Sequence, residues 1–204
     1  MAAVDPTTNS NDGWARRRAR IAGEIERAAL ELFSQRGPDN VTVEQISQRA
    51  GISVRTFFRY FRTRDDIMFA LPHRLVDDLC DRVAARPTAE SALDAFINAV
   101  RDAQDASIDD DLVRLWGRAT RRWDTAQAEP QPAAPMAVAY GEVIAARRGV
   151  PVDDTRVEVM ATAIASVMWL AFLRWLSSDG MTPLATVVED SFTVLAELHR
   201  PTPG

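Results

Sequence analysis

The sequence predicts an all-α protein. Apolar residues recur at spacings of three and four along most of the chain, which is the period of a helix packed on one side. No window alternates with the period of two over a length that would outweigh these helical signals. Glycine and proline interrupt the pattern at intervals that suit short connections. These three observations predict nine helices joined by turns.

The first predicted helix runs from about residue 15 to 35 and ends before Gly37 and Pro38, which break the pattern. Residues 1–14 lack an apolar run, so we expect a disordered arm there rather than a signal peptide or a membrane anchor. One face of the helix is apolar, which predicts that it packs over the segment that follows. The residues of this face are Ile21, Ile25, Ala28, Leu32 and Phe33.

Residues 42–61, TVEQISQRAGISVRTFFRYF, combine a capped helix, a tight turn and a second helix. Thr42 can cap the first helix while Gln45 reaches back to the backbone in a capping box. Gly51 can take the left-handed conformation that ends a helix, and Ser53 is a good N-cap for the next one. The second helix carries hydrogen-bond donors and aromatic rings beside apolar anchors. The segment therefore predicts a helix-turn-helix, whose second helix suits the major groove of DNA.

The rest of the chain predicts six further helices. The fourth begins at Thr63 with Asp65 and Asp66 in its first turn, and Pro72 is expected to bend or interrupt it. Thr88 is expected to cap the fifth helix. The four later helices are expected near residues 109–123, 136–148, 154–177 and 183–199.

The charge of the chain is unevenly distributed, although its formal net charge is only −5. Residues 14–64 contain eleven arginines and five acidic residues, a net of +6, so the remainder has thirteen arginines, twenty-four acids and a net of −11. A basic lobe can release counterions from DNA while an acidic lobe stays off the backbone. This asymmetry predicts binding to double-stranded DNA independently of the helix-turn-helix.

Other features argue against membrane, metal and catalytic roles. Cys80 is the only cysteine, which excludes an intramolecular disulfide and a cysteine-rich metal site and suits a reducing cytoplasm. The longest uncharged apolar run, residues 159–173, is shorter than the roughly 20 residues of a membrane helix, so we expect a buried helix. His73 and Cys80 fall on the fourth predicted helix and His199 at the end of the last one, and no catalytic set is visible, so we expect no enzyme activity, no cofactor and no metal.

The order of small and large residues in the basic segment resembles the DNA-binding region of the tetracycline-repressor (TetR) family of bacterial transcription regulators. The resemblance begins with RAALELFSQRG at residues 27–37, continues through residues 42–61 and ends with TRDDI at residues 63–67. Phe58 stands where the family commonly has tyrosine, and Arg64 stands where a lysine usually starts the fourth helix.

The resemblance implies an arm at residues 1–14, a helix-turn-helix DNA-binding domain at 15–63 and an effector-binding and dimerisation domain at 64–204. The last two helices are expected to form the interface of a homodimer, because residues 157–176 are apolar nearly all round and one chain has little material to cover them. A twofold dimer predicts an inverted-repeat operator. A repressor released by an effector is the expected function, and a non-specific architectural DNA-binding protein is the alternative.

Matched positions imply which residues touch DNA. The candidates for base edges are Val54, Arg55 and Thr56, with Arg55 best suited to a guanine. Phe58 offers only apolar contact to a sugar or a thymine methyl. The candidates for phosphate contacts are Thr42, Ser53, Arg59, Tyr60 and Arg64.

Three consecutive arginines, Arg16, Arg17 and Arg18, precede the motif. They can enter the minor groove as a DNA arm. A basic tail is as often a non-specific tether, so both interpretations stay open.

The acidic domain carries aromatic and sulfur side chains at helical spacing, which as a set favour an apolar effector pocket, although each also suits a core or a dimer interface. These side chains are Phe96, Trp116, Trp123, Tyr140, Met168, Trp169 and Phe172. Four arginines on the sixth helix are either solvated or hold the anionic group of a lipid-like, acyl-CoA-like effector. They are Arg114, Arg118, Arg121 and Arg122.

Overall fold

The chain is built from helices, as its sequence predicts. A computed structural model describes residues 6–104, 110–123, 133–178 and 182–198, and its regular elements there are nine α-helices and one 3-10 turn, Pro38–Asn40. The helices are α1 (Pro6–Arg36), α2 (Val43–Arg49), α3 (Val54–Phe57), α4 (Asp66–Ala85), α5 (Ala92–Gln104), α6 (Asp110–Arg121), α7 (Ala133–Arg148), α8 (Thr155–Ser177) and α9 (Leu184–Leu198). The predicted all-α fold is confirmed.

The chain divides into two compact units. The first comprises Met1–Leu71 with Arg118–Trp123, and the second comprises Pro72–Gly117 with Asp124–Gly204. The boundary therefore falls inside α4, later than the predicted residue 63, because the first turns of α4 bury Ile67 and Met68. The helix continues through Pro72 without interruption.

α1 begins earlier than predicted. It starts at Pro6, so residues 6–14 are helical instead of a disordered arm. Alanine and arginine, which are good helix formers, make up all of residues 15–20 and can carry a helix without an apolar face. Burial begins further along, where Ile25, Leu30 and Phe33 are fully enclosed.

Helix caps in the second unit follow the predicted chemistry with one exception. Ser91, not Thr88, caps α5, because its Oγ accepts from the Asp94 backbone N–H at 3.1 Å and donates to the Asp94 carboxylate at 2.7 Å. Asp154 caps α8, where its carboxylate accepts from the Arg156 N–H at 2.8 Å. The chain turns after Pro87 before it reaches α5, which places Thr88 outside the helix.

The core of the second unit is formed by residues of α4, α5, α7, α8 and α9. Phe96 and Tyr140 are completely buried at its centre, and their rings meet edge to face at 5.0 Å between centroids. The Tyr140 hydroxyl has no hydrogen-bond partner among the described residues. Burial raises the pKa of Tyr140, so this hydroxyl stays protonated.

α8 is the most apolar helix, and its own unit covers only part of it. The segment Thr155–Trp175 is long and apolar enough to cross a membrane by length and composition, a test that core helices also pass. Only 28% of this apolar stretch is buried, so the expectation of a helix buried on several sides is not met within one chain. Five uncharged residues at helical spacing are exposed, a set called here the α8 stripe. They are Val159, Thr162, Ser166, Leu170 and Leu173.

Arg147 of α7 ties down the end of α4. Its Nη1 donates to the carbonyls of Val83 at 2.8 Å and Arg86 at 2.9 Å. Its Nη2 donates to the carbonyls of Pro87 at 2.9 Å and Glu90 at 3.4 Å. The last carbonyls of a helix have no partners within the helix, so one guanidinium satisfies the end of α4 and the turn that follows.

Replacing Arg147 with methionine removes these donors and leaves the carbonyls to water. We expect the free energy of unfolding to fall by about 2 kcal/mol, since hydrogen bonds from charged donors each contribute roughly 1.5–3 kcal/mol. Urea denaturation measures this loss. The control is the exposed neighbour Arg148→Met, which should change stability by less than about 0.5 kcal/mol. Equal losses in the two variants would contradict this role of Arg147.

Candidate nucleic-acid interface

The first helix of the predicted motif is fixed by a capping box. The Thr42 hydroxyl oxygen accepts from the Gln45 backbone N–H at 3.3 Å, and the Gln45 side-chain oxygen accepts from the Thr42 N–H at 3.0 Å. Ile46 is completely buried on the inner side of α2. Gly51 has φ of 67°, in the left-handed region that ends the helix. The predicted start and end of this helix are therefore observed.

The second helix, α3, is short and anchored from one side. The Ser53 hydroxyl oxygen accepts from the Thr56 N–H at 3.1 Å and caps the helix. The regular helix covers only Val54–Phe57, after which the chain continues as a turn to residue 60. Phe57 is completely buried, and its ring lies 5.8 Å from that of Phe61, which is half-buried. Burial of Phe57 therefore sets which side of α3 faces outward.

The outward side of this segment carries the predicted DNA contacts. Arg55, Phe58 and Arg59 are exposed, and Phe58 is 53% exposed although it is a large apolar residue. The Arg59 guanidinium lies over the Tyr60 ring, 6.0 Å from its centroid. Three candidates are half-buried: Val54, Thr56 and Tyr60.

Two phosphate candidates have structural duties. Thr42 and Ser53 use their hydroxyl oxygens to cap α2 and α3, so a phosphate contact by either one would be additional to that role. Their backbone and hydroxyl groups stand at the starts of the two helices, where partial positive charge accumulates.

Arg64, also predicted to contact phosphate, departs further from that expectation than Thr42 and Ser53 do. Its Nη1 donates to the Val41 carbonyl at 3.2 Å, its Nε to the Asp65 carboxylate at 2.9 Å, and its Nη2 lies 3.5 Å from a carboxylate oxygen of Asp39. Its side chain is only 25% exposed. The residue therefore links the 3-10 turn to the start of α4, and its charge is already opposed by two carboxylates. The sequence hid this role because Val41 and Asp39 lie more than twenty residues earlier.

The effector candidates do not form one cluster of rings. Trp116 and Trp169 both contact Phe172, with centroids 4.6 and 5.3 Å apart. Phe96 and Tyr140 form a separate buried pair. Met168 packs partly buried against the core of the second unit.

Trp123, also expected in the pocket, belongs to the first unit, where its ring contacts Phe69 at 5.5 Å. Trp175, which was not among the predicted pocket residues, extends the ring cluster of Trp116, Trp169 and Phe172. Its ring stacks 6.1 Å from Phe172, and its indole N–H donates to the Thr182 carbonyl at 3.0 Å. A helical spacing of three from Phe172 was the available signal.

Three of the four arginines predicted on the sixth helix lie on α6, and Arg122 directly follows its last residue, Arg121. Arg114, Arg118, Arg121 and Arg122 are all exposed, while Trp116 on the same helix is buried. Arg114 lies 3.7 Å from the Asp111 carboxylate.

Burial raises the pKa of Cys80 to about 11, with Asp77 and Asp81 adding to the shift, so this thiol is unreactive at neutral pH. Among the residues the structure describes, no group of three or more histidine, cysteine or acidic side chains could hold a metal ion.

Comparisons with known proteins agree with this architecture. The family model described as bacterial regulatory proteins, tetR family, matches residues 25–71, and a second model, the MftR C-terminal domain, matches residues 131–200. The chain therefore belongs to the TetR family of bacterial regulatory proteins. Its members are regulators and not enzymes, which confirms the expectation that the chain has no catalytic role.

Two curated relatives and one solved structure illustrate the similarity. The transcriptional regulator TcmR of Streptomyces glaucescens is 30% identical over 68% of this chain and 65% of its own length. The mycofactocin biosynthesis regulator MftR of Mycobacterium tuberculosis is 34% identical over 40% of this chain and 44% of its own length. Each match thus spans less than two thirds of the relative. The TetR-family repressor FadR of Thermus thermophilus, solved with lauroyl-CoA, has a TM-score of 0.53 and 24% identity, and the alignment covers 90% of this chain and 99% of FadR.

Asp66 holds the start of α4 in place, close in sequence to the helix-turn-helix. Its carboxylate accepts from the Thr63 hydroxyl at 2.6 Å and from the backbone N–H groups of Thr63 at 3.1 Å and Arg62 at 2.9 Å. The hydrogen bond from the Thr63 side chain is the main cause that lowers the pKa of Asp66 below its usual 3.8. A lowered pKa means that the ionised form stabilises the folded protein.

This stabilisation should be present above pH 3.8 and disappear as the pH falls through the lower pKa of the folded state. Melting temperatures measured from pH 7 to pH 2 should therefore show that Asp66→Asn is less stable than the wild type at neutral pH and that the difference shrinks in acid. Asp153→Asn, at an exposed carboxylate of the second unit, is the control. A difference between Asp66→Asn and wild type that is constant with pH would contradict the role of the charge.

Proposed function

We propose that the chain is a dimeric, sequence-specific transcriptional regulator of the cytoplasm, most simply a repressor that leaves an inverted-repeat operator when a small apolar or amphipathic effector binds. The observation that carries this proposal is the doubly capped helix-turn-helix. It presents Arg55 outward from the buried anchor Phe57 within a segment of net charge +6.

Arg55 is the residue we assign to sequence reading. It is exposed in the first turn of α3, next to Val54 and Thr56. A guanidinium can donate two parallel hydrogen bonds to O6 and N7 of guanine, which is a common specific contact in the major groove. The neighbouring valine and threonine methyl groups suit the methyl group of thymine.

Arg59 and Tyr60 are assigned to the phosphate backbone. Arg59 is exposed and its guanidinium stays near the Tyr60 ring, which limits the directions it can take. Contacts to phosphate position the protein on the duplex and carry no sequence information. Arg64 is the weaker candidate for this role, since Asp39 and Asp65 already oppose its charge.

Arg55→Ala and Arg59→Ala should therefore weaken DNA binding in different ways. Arg55→Ala is expected to cost about 1–3 kcal/mol on the preferred site and to relax the preference at one base pair. Arg59→Ala should weaken preferred and random duplexes alike and reduce the dependence on salt by about one phosphate contact. Titrations of each variant with the preferred duplex and with a random duplex measure these losses of affinity. Equal losses for both variants on both duplexes would refute the division of roles.

The α8 stripe supports a homodimer. Leu170 and Leu173 are 52% and 43% exposed, and no charged residue belongs to the stripe. Ser166 donates its hydroxyl to the Thr162 carbonyl at 2.8 Å, so this polar residue already has a partner inside the helix. On α9, Val194 is 50% exposed, and its neighbour Thr193 donates to the Glu189 carbonyl at 3.0 Å. A second copy of these helices would cover this apolar surface in a four-helix interface.

Leu170→Glu should break the dimer, because two carboxylates related by a twofold axis would be buried near each other. Sedimentation is expected to show a monomer and DNA titration a much weaker complex, since one chain reads only half of the operator. Val138→Glu is the control, because Val138 is 64% exposed on α7 and lies outside the stripe. A wild-type monomer at micromolar concentration would remove the dimer from the proposal.

The effector is assigned to the second unit, near the cluster of Trp116, Trp169 and Phe172. Their rings lie 4.6 to 5.3 Å apart, and Trp169 is only half-buried. Such a surface suits a mainly apolar molecule. An acyl-CoA belongs to that class, and the structure of the Thermus FadR holds lauroyl-CoA. To release DNA, the effector must bind more tightly to one conformation than to the other.

A non-specific architectural protein is the alternative, because the basic segment alone would hold DNA. Selection of bound sites from a random DNA pool separates the two functions. Recovery of one inverted repeat supports the regulator, and recovery of no preferred sequence supports the alternative.

A further inference from the structure

α1 reaches past the core of its own unit. The helix begins at Pro6, and from Gly13 onward the first buried residue along it is Ile25. With a rise of about 1.5 Å per residue, roughly 16 Å of helix separates Trp14 from Ile25. Trp14 is 71% exposed, although it is the largest apolar side chain of this part. Residues 13–20 are called here the helical extension.

The helical extension is basic on several sides. Residues 13–23 contain four arginines and no acidic residue. Arg16, Arg17 and Arg18 are exposed, and successive residues of a helix point in directions about 100° apart. Arg20 is also exposed and pairs with Glu24 at 2.5 Å. The positive charge therefore surrounds much of the helix instead of forming one stripe.

This distribution favours an extended polyanion as the partner. A helix that binds a lipid surface or an apolar groove needs a continuous apolar face opposite its charges. Trp14 is the only large apolar residue among residues 13–20, and Arg18 follows it one turn later on the same side. The first unit also contains the helix-turn-helix, so its own DNA supplies such a polyanion.

We propose that the helical extension binds the phosphate backbone of DNA outside the base pairs that α3 reads. This inference rests on the proposed DNA-binding function. The minor groove is about 6 Å wide, whereas an α-helix with its side chains measures about 10–12 Å. A helical extension therefore does not enter the minor groove as an arm. Its forked guanidinium groups bind phosphate oxygens instead, and the Trp14 indole N–H is a further donor.

The helical state gives the extension an energetic advantage over a disordered tail. A disordered segment loses conformational entropy when it becomes ordered on its target, and this loss subtracts from affinity. A helix formed in advance has already lost that freedom. The contribution to binding should therefore depend on the helix as well as on the charges.

The charge is tested with the variant Arg16→Gln, Arg17→Gln, Arg18→Gln. The probe is a duplex that carries the site selected by the wild-type protein with flanking base pairs on both sides. The slope of log K against log salt should become shallower by about 2.7, because each lost phosphate contact accounts for roughly 0.9. The preferred sequence should not change. Duplexes trimmed of their flanks should bind the wild type more weakly and leave the variant unaffected.

A matched control removes the same charge elsewhere. It is the variant Arg114→Gln, Arg148→Gln, Arg156→Gln, at three exposed positions of the second unit. Its salt slope should stay within about one unit of the wild type, since one phosphate contact accounts for roughly 0.9. An equal change in both triple variants would show a general effect of net charge and overturn the proposal.

The helix is tested with Ala19→Pro, which keeps all four arginines but breaks the helix before the buried part of α1. Affinity at physiological salt should fall about tenfold, in line with the loss of a few phosphate contacts, while the melting temperature of the first unit is retained. Unchanged affinity would show a flexible tether and refute the helical contact.

A wild type that selects no sequence would overturn the proposed function as well. A wild type that selects an inverted repeat, with no change of slope in the arginine variant, would overturn only this inference.

Discussion

Burial of the Phe57 ring is the interaction on which the candidate DNA surface depends. The regular part of α3 spans four residues, far below the length at which a helix is stable alone. The completely buried ring and the Ser53 cap hold these residues as a helix and fix its rotation. The same rotation turns Arg55 and Arg59 outward. The outward position of these candidate DNA contacts is thus a consequence of core packing in the first unit.

The core of the second unit is too small to cover every side of its most apolar helix, α8. Its helices enclose Phe96, Tyr140 and Phe192 completely, yet they leave one side of α8 uncovered. Covering α8 on every side needs more helices than the unit has. Ser166 on the uncovered side donates its hydroxyl to the Thr162 carbonyl of its own helix. An uncovered apolar surface of this kind gains free energy when another apolar surface covers it.

All 24 lysine-type or arginine-type positions of the chain are arginine, and the surroundings of each arginine decide what it does. Arg147 satisfies carbonyls at the end of α4, and Arg64 links the 3-10 turn to α4 through Val41, Asp39 and Asp65. Arg55 and the arginines of the helical extension are exposed. The forked, permanently charged guanidinium suits both backbone carbonyls and phosphates, so residue type alone does not separate structural arginines from the exposed candidates for DNA contact.

Features that depend on neighbouring residues were predictable from the amino-acid sequence alone. The capping box of Thr42 and Gln45, the left-handed Gly51, the Ser53 cap and the buried side of α1 from Ile25 onward all arise within one or two helical turns. Roles that depend on distant partners became visible only in the folded chain: Arg64 as a link, Arg147 as a cap for α4, and Trp123 in the first unit. Periodicity gives the direction of a side chain on its own helix, whereas its partner is set by how the helices pack.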